Sequence, residues 1–412
     1  THCISSAASD VYKRQSMDNG GKGGEIQILG NTITLSGTAL LDASGATGGG
    51  KIFVGGDYEG GANPPNNYAS EPLQNASTLK IDKGAVMNAD ATVQGDGGVV
   101  INWADGTTVS SGSVSAKGGP LGGNGGFVEI SGKQKLGFAG EVNLSATRGR
   151  IGTLLLDPDD LWIIGSGRDP NEESVTSQYK HYLDSSSDFY WYNETWVTTA
   201  PVITQPLGVI IDPAKIQADM IFSAANVYFT DRHTLTYEQT TVKWEGFGNL
   251  DRNEYKKFVE NTYDLNPAQV VLSKSANLTI TATGQIWMPV GSSVTATGTG
   301  QVSMDASSFN LQGSIQSESG NISLTSQTGV DLKGATLKST DGGSFMITSS
   351  TGNIVLNGSQ IEGTSGAVQI TAPNSISIDN SSITTASGNI MILPEAVVMD
   401  ELSIEIELGA VI

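Results

Sequence analysis

The stretch LTITATGQIWMPVGSSVTATGTGQVSMDASSFNLQGSIQSESGNISL (278–324) decides the fold, because apolar residues return in it in pairs spaced i, i+2. One series is Leu278/Ile280, Val302/Met304 and Ile322/Leu324, and it continues as Phe345/Ile347, Val368/Ile370 and Ile390/Ile392. A second runs between them as Ile286/Met288, Phe309/Leu311, Val330/Leu332, Ile354/Leu356 and Ile376/Ile378. A third, of single residues, follows as Val294, Ile315, Leu337, Ile361 and Ile383. Side chains two apart share one face of a strand. Three short strands per 20 to 24 residues, joined by Gly, Ser, Asn and Thr, predict one coil of a three-sided parallel β-helix.

The same beat extends towards the N-terminus in coils of 26 to 29 residues where no loop intrudes. The expected inward residues are Ile26/Ile28, Ile33/Leu35 and Leu40, then Ile52/Val54, Leu79/Ile81 and Val86, with a polar loop from Asp57 to Ser77. Val99/Ile101, Val109 and Val114 follow, then Val128/Ile130, Leu136/Phe138 and Val142/Leu144, and Leu154/Leu156 with Leu161/Ile163. Gly-rich corners, GATGGGK (45–51) and GGPLGGNGG (118–126), join them. Fifty-two glycines against 13 prolines suit a chain that turns every few residues. The apolar fraction of 38% is low for a compact globule, yet its regular placement argues against disorder.

These patterns divide the chain. Residues 1–18 lack strand period and helical stripe and read as an unstructured, artefactual leader; 19–164 are N-terminal coils and 276–412 regular coils of about 22 residues. Residues 165–275 break the beat and hold 16 of the 27 aromatics, so they read as a coil or two of the rod carrying a folded, aromatic-rich insertion. Within it NLDRNEYKKFVENTY (249–263) has Tyr255, Phe258 and Val259 at helical spacing, which predicts a helix. The last run, ELSIEIELGAVI (401–412), alternates apolar and acidic residues, and reads either as a charged edge that discourages strand pairing or as a rod that continues.

A net charge of −20, from 22 basic and 42 acidic residues, disfavours nucleic acid and anionic lipid as partners. One cysteine, Cys3, allows no intrachain disulfide, and no stretch approaches the ~20 apolar residues of a membrane span, so no direct membrane insertion is expected.

The block GGNGGFVEISGKQKLGFAGEVNLSATRGRIGTLLLDPDDLWI (122–163) resembles the coils of filamentous-haemagglutinin-type exoproteins, including the high-molecular-weight adhesins of the two-partner secretion route. KIFVGGDYEGG (51–61) and GDGGVVINWADGTTVSSGSVSAKGG (95–119) resemble the same family's preceding coils, so the likeness spans about 20–165 as ordered blocks. It implies a right-handed parallel β-helix, exported through an outer-membrane transporter partner and displayed on, or released from, a Gram-negative cell to bind a host-cell glycan or protein receptor. The family's Asn-Pro-Asn secretion domain and a C-terminal anchor are not recognised, so the chain reads as an internal piece of a longer exoprotein.

Chemistry is sparse. Asp157, Asp159 and Asp160 read as turn formers that cap backbone N–H groups, with calcium as the rival. His2, His181 and His233 lack metal-ligand spacing. Asp305, Asp331 and Asp341 are scattered rather than paired as glycoside hydrolysis requires. No enzyme activity, metal or cofactor is expected. The best ligand-binding candidates are Tyr190, Trp191, Tyr192 and Trp196, because aromatics stack on sugars and anchor interfaces; joining the insertion to the rod is the competing role. The favoured function is therefore a stalk or display segment of an adhesin. A surface receptor for haem or a haem carrier and a polysaccharide lyase or hydrolase are the alternatives.

Overall fold

Short strands separated by tight corners give each coil edges that only another coil can satisfy, and in the computed structural model they stack into a parallel β-helix. Side chains are described for residues 21–62, 68–165, 206–231 and 267–394. Backbone pairing is described in addition for 3–4, 12–13, 180–184, 187–192, 195–197, 202–204, 232–245, 251–265, 395–400 and 403–406.

One face runs the length of the rod. Its twelve strands, from Glu25–Leu29, Lys51–Val54 and Val99–Ala104 through Leu278–Met288 to Val368–Asp379 and Ile390–Asp400, each pair in parallel with the next. The register makes a single inward column: Ile26, Ile52, Val100, Val128, Leu154, Met220, Leu278, Val302, Ile322, Phe345, Val368 and Ile390. At ~4.8 Å per rung the column is roughly 53 Å long. The third face carries its own column, Val270, Val294, Ile315, Leu337, Ile361, Ile383 and Ile404, as the sequence beat predicts. Two strands near the start, Cys3–Ile4 and Tyr12–Lys13, add parallel pairings to Ile28–Leu29 and Leu41–Asp42.

The corner into the first face holds Gly24, Gly50, Gly98, Gly126 and Gly152 one above another, linked because each carbonyl accepts the first N–H of the next strand. A Cβ on Gly126 would run into the carbonyl oxygen of Gly98, so glycine there is set by closeness of backbone to backbone.

Four expectations are corrected. First, the first and second apolar series lie on one continuous strand in most C-terminal coils, such as Leu278–Met288 and Val302–Leu311, bent by register shifts at Ala282/Gln285 and Ala306/Ser308. A bulge turns the corner without interrupting the ladder; only Phe345–Ser349 and Asn353–Asn357 are separate. Second, the inward set slips by one residue in three places. Leu41 and Met87 point in instead of Leu40 and Val86; Val100 and Asn102 instead of Val99 and Ile101; Thr108 and Ser110 instead of Val109. Period two makes such a slip exchange both faces. Third, the helix expected at 249–263 is a strand, Asp251–Leu265, paired antiparallel with Asp231–Glu245 over 15 residues. A full ladder with a Thr-, Val- and Tyr-rich partner outweighs three apolar residues at helical spacing. Fourth, the chain re-enters the rod at 207–211. Phe138 and Ile210 exchange bonds with Gly208–Ile210, whose Val209 also bonds Trp162 and Ile164, so a rung is added between the Phe138 and Ile163 strands.

Candidate functional site

The sequence candidates sit on adjacent antiparallel strands, Ser187–Tyr192 and Thr195–Val197, where Trp191 is the register partner of Trp196, Tyr192 of Thr195 and Tyr190 of Val197. The side chains of Tyr190, Trp191, Tyr192 and Trp196, and those of His181 and His233, lie outside the described residues. The Asp157–Asp160 segment does form a turn: Lys133 O accepts the Asp159 N–H at 2.6 Å, and Asp160 Oδ1 accepts from Asn226 Nδ2 at 2.9 Å. No group of three His, Cys, Asp or Glu able to hold a metal occurs among the described residues.

A site that the beat does not announce lies on the outer side of the first face. Lys51–Val54, Val99–Ala104 and Phe127–Gly132 are buried on both sides there, because the loop after Val54 folds back over Phe53, Ile101 and Trp103. Tyr58, Tyr68, Leu73 and Phe127 complete this second apolar cluster. Tyr68 stacks on Phe127 with ring centroids 5.4 Å apart, and Tyr58 meets both edge-on. Runs such as VVINWA and FVEI, apolar at consecutive positions, are the sequence signal for strands covered on both faces.

Asp57, itself buried, pins the loop: Oδ1 accepts from the N–H of Tyr58 (2.8 Å) and Tyr68 (3.1 Å), and Oδ2 from Ala69 (2.9 Å). Lys51 Nζ donates to the Tyr68 carbonyl at 2.6 Å. Gly60, at φ +67°, lies against the Trp103 indole, where a Cβ would meet the ring at 2.8 Å. Trp103 Nε1 donates to Asp105 Oδ1 (2.9 Å), and Asn75 Nδ2 bridges that oxygen (3.0 Å) and Gly60 O (2.9 Å).

Beneath this roof the Glu129 carboxyl is wholly buried. It accepts from the Glu59 N–H at 3.2 and 3.4 Å and is hydrogen-bonded by the Ser131 hydroxyl. Burial pushes its pKa from 4.5 to about 8; those hydrogen bonds pull the other way, and the charges of Asp157 and Glu59 add to the rise. Asp157 is also raised, first by burial, with its Ser223 hydrogen bond opposing. Burial raises Tyr58 and Tyr68 as well. The chemistry available is a carboxyl held neutral near neutral pH beside ionised neighbours.

Next to the roof opens a groove of about 510 Å³, lined by Glu59, Asn75, Trp103, Asp105, Lys133, Asp157, Asp159, Ser223 and Thr283 among others. Its lining comes from the corners of five successive rungs. Further along these rungs Trp162, Tyr228 and Trp287 are register partners, the first two stacked with centroids 4.1 Å apart and 13° between planes.

Set against known proteins, the chain matches no protein-family model and no curated protein.

Proposed function

We propose that the chain is a β-helical stalk and display segment of a large secreted surface adhesin of filamentous-haemagglutinin type, exported by the two-partner route and attaching a Gram-negative cell to host or neighbouring cells without catalysis. The observation that carries this reading is the unbroken column from Ile26 to Ile390, since a stack of rungs extends a surface in one direction instead of enclosing a reaction chamber. The lone cysteine supports it further, because a chain threaded unfolded through a transporter is not held back by an intrachain disulfide. The acidic balance suits display on a solvated surface and disfavours nucleic acid.

Expression of the parent reading frame in a Gram-negative host, with and without its outer-membrane transporter, tests the proposal. Transporter-dependent display that raises attachment to epithelial monolayers is the expected result. Retention of the protein inside the cell whatever the transporter, or release of new chain ends from pectin, alginate or hyaluronan by the purified chain, would contradict it.

A further inference from the structure

The groove beside the loop has the shape and chemistry of a glycan site. Its lining residues, from Trp103 and Asp105 through Lys133, Asp157 and Asp159 to Thr283, belong to five successive rungs, so at ~4.8 Å per rung it runs roughly 19 Å parallel to the rod axis. A linear chain laid along the axis fits such a groove.

The lining polar groups are mostly acceptors. Four carboxylates, Glu59, Asp105, Asp157 and Asp159, face a single base, Lys133. Asp105 is held in place by bonds from Trp103 and Asn75 to one oxygen, Oδ1. Asn75 supplies a second, independent observation: its Oδ1 is buried without a hydrogen-bond partner among the described residues, at a residue that lines the groove. An orphaned buried acceptor asks for a donor from a bound molecule. The charge of the lining opposes an anionic chain, while the Trp103 ring and Ala62, Pro158 and Ala225 offer apolar surface for C–H groups.

We propose that this groove binds a short amino-sugar oligosaccharide laid along the rod axis, whose hydroxyl and ammonium groups donate to Asp105, Asp159 and Asn75. The site is distinct from the aromatic insertion, and it stands on the groove alone, so its failure leaves the stalk reading intact. Carboxylate–ammonium pairs at an open groove are screened by salt, which makes ionic strength a second readout.

Titration calorimetry with a glucosamine tetramer, cellotetraose and tetragalacturonate tests it on the full chain. The expected order is glucosamine tetramer tightest, cellotetraose weaker, and tetragalacturonate unbound. The double variant D105N/D159N is expected to weaken the glucosamine tetramer at least tenfold with an unchanged circular dichroism spectrum, and raising salt from 50 to 500 mM to weaken it in the parent chain only. Thr283→Trp, an exposed position at the groove's end, fills the space without touching a carboxylate and is expected to weaken all binding. Failure of all three probes at millimolar concentration, tighter binding of tetragalacturonate, or affinity unchanged in both D105N/D159N and T283W would overturn the proposal.

Discussion

Replacing Glu129 with Gln asks what the buried carboxyl contributes. In the folded chain this group keeps its proton up to a pH of about 8, whereas an ordinary glutamate loses it near 4.5. The folded value is the raised one, so the contribution is fully present below about 4.5 and is lost as pH climbs through 8. At ~1.4 kcal/mol per unit, the difference between those limits is on the order of 5 kcal/mol, an upper figure because a loop that opens to hydrate the charge caps the penalty. Gln keeps an acceptor for the Glu59 N–H and carries no charge at any pH. Rungs need not unfold together in a solenoid, so the assay is local. Hydrogen exchange over 57–77 and 127–132 is compared between parent and E129Q in identical buffers from pH 5 to 9, which cancels intrinsic exchange rates and the background repulsion of an acidic chain. The parent is expected to lose protection in both segments above pH 8 while E129Q does not. Coincident profiles at every pH would refute the reasoning.

Three further outcomes follow from the same coordinates. Asp57→Ala removes the acceptors of three loop N–H groups at once, each worth ~1 kcal/mol or more when orphaned, so limited proteolysis is expected to cut within 57–77 while the rod beyond 127 stays intact; equal resistance would count against the pinning role. Asn102 points into the rod between Val54 and Ile130 with neither side-chain polar atom bonded, so Asn102→Leu is expected to stabilise by ~1–3 kcal/mol, read as a raised melting temperature; a lower one would mean that the amide is satisfied. Phe345 is fully buried between Ile322 and Val368, and Phe345→Ala is expected to cost ~3–5 kcal/mol in chemical denaturation, whereas the exposed Met346→Ala beside it stays within ~0.5 kcal/mol; comparable losses would contradict the inward phase.

The rod was legible wherever strands alternate strictly. Ile322/Leu324 and Phe345/Ile347 have polar or exposed neighbours on the outer side, so the apolar phase could point only one way. In VVINWA both phases are apolar, and the true inward residue, Asn102, is polar; the outer phase is apolar because a loop covers it. That cover depends on Asp57 reaching Tyr68 and Ala69 across more than ten residues, contacts with no local signature. Glu129 was readable as part of FVEIS, yet its burial arises only when the loop closes on it. The strand at 251–265 was hidden for a related reason: its partner, Asp231–Glu245, sets its conformation, while its own spacing favours a helix. The groove joins five rungs between Trp103 and Thr283, a proximity that winding alone creates.

Stacking itself can be measured with spin labels on the outward column that contains Gln27, Thr279, Ser303, Met346 and Met391, in a chain whose Cys3 is replaced by Ser. Double electron–electron resonance between Thr279 and Met391, five rungs apart, is expected to give about 24 Å, and between Gln27 and Met391, eleven rungs apart, about 53 Å, both at ~4.8 Å per rung plus the label linkers. Distances that fail to grow in proportion to rung number would contradict the single continuous rod.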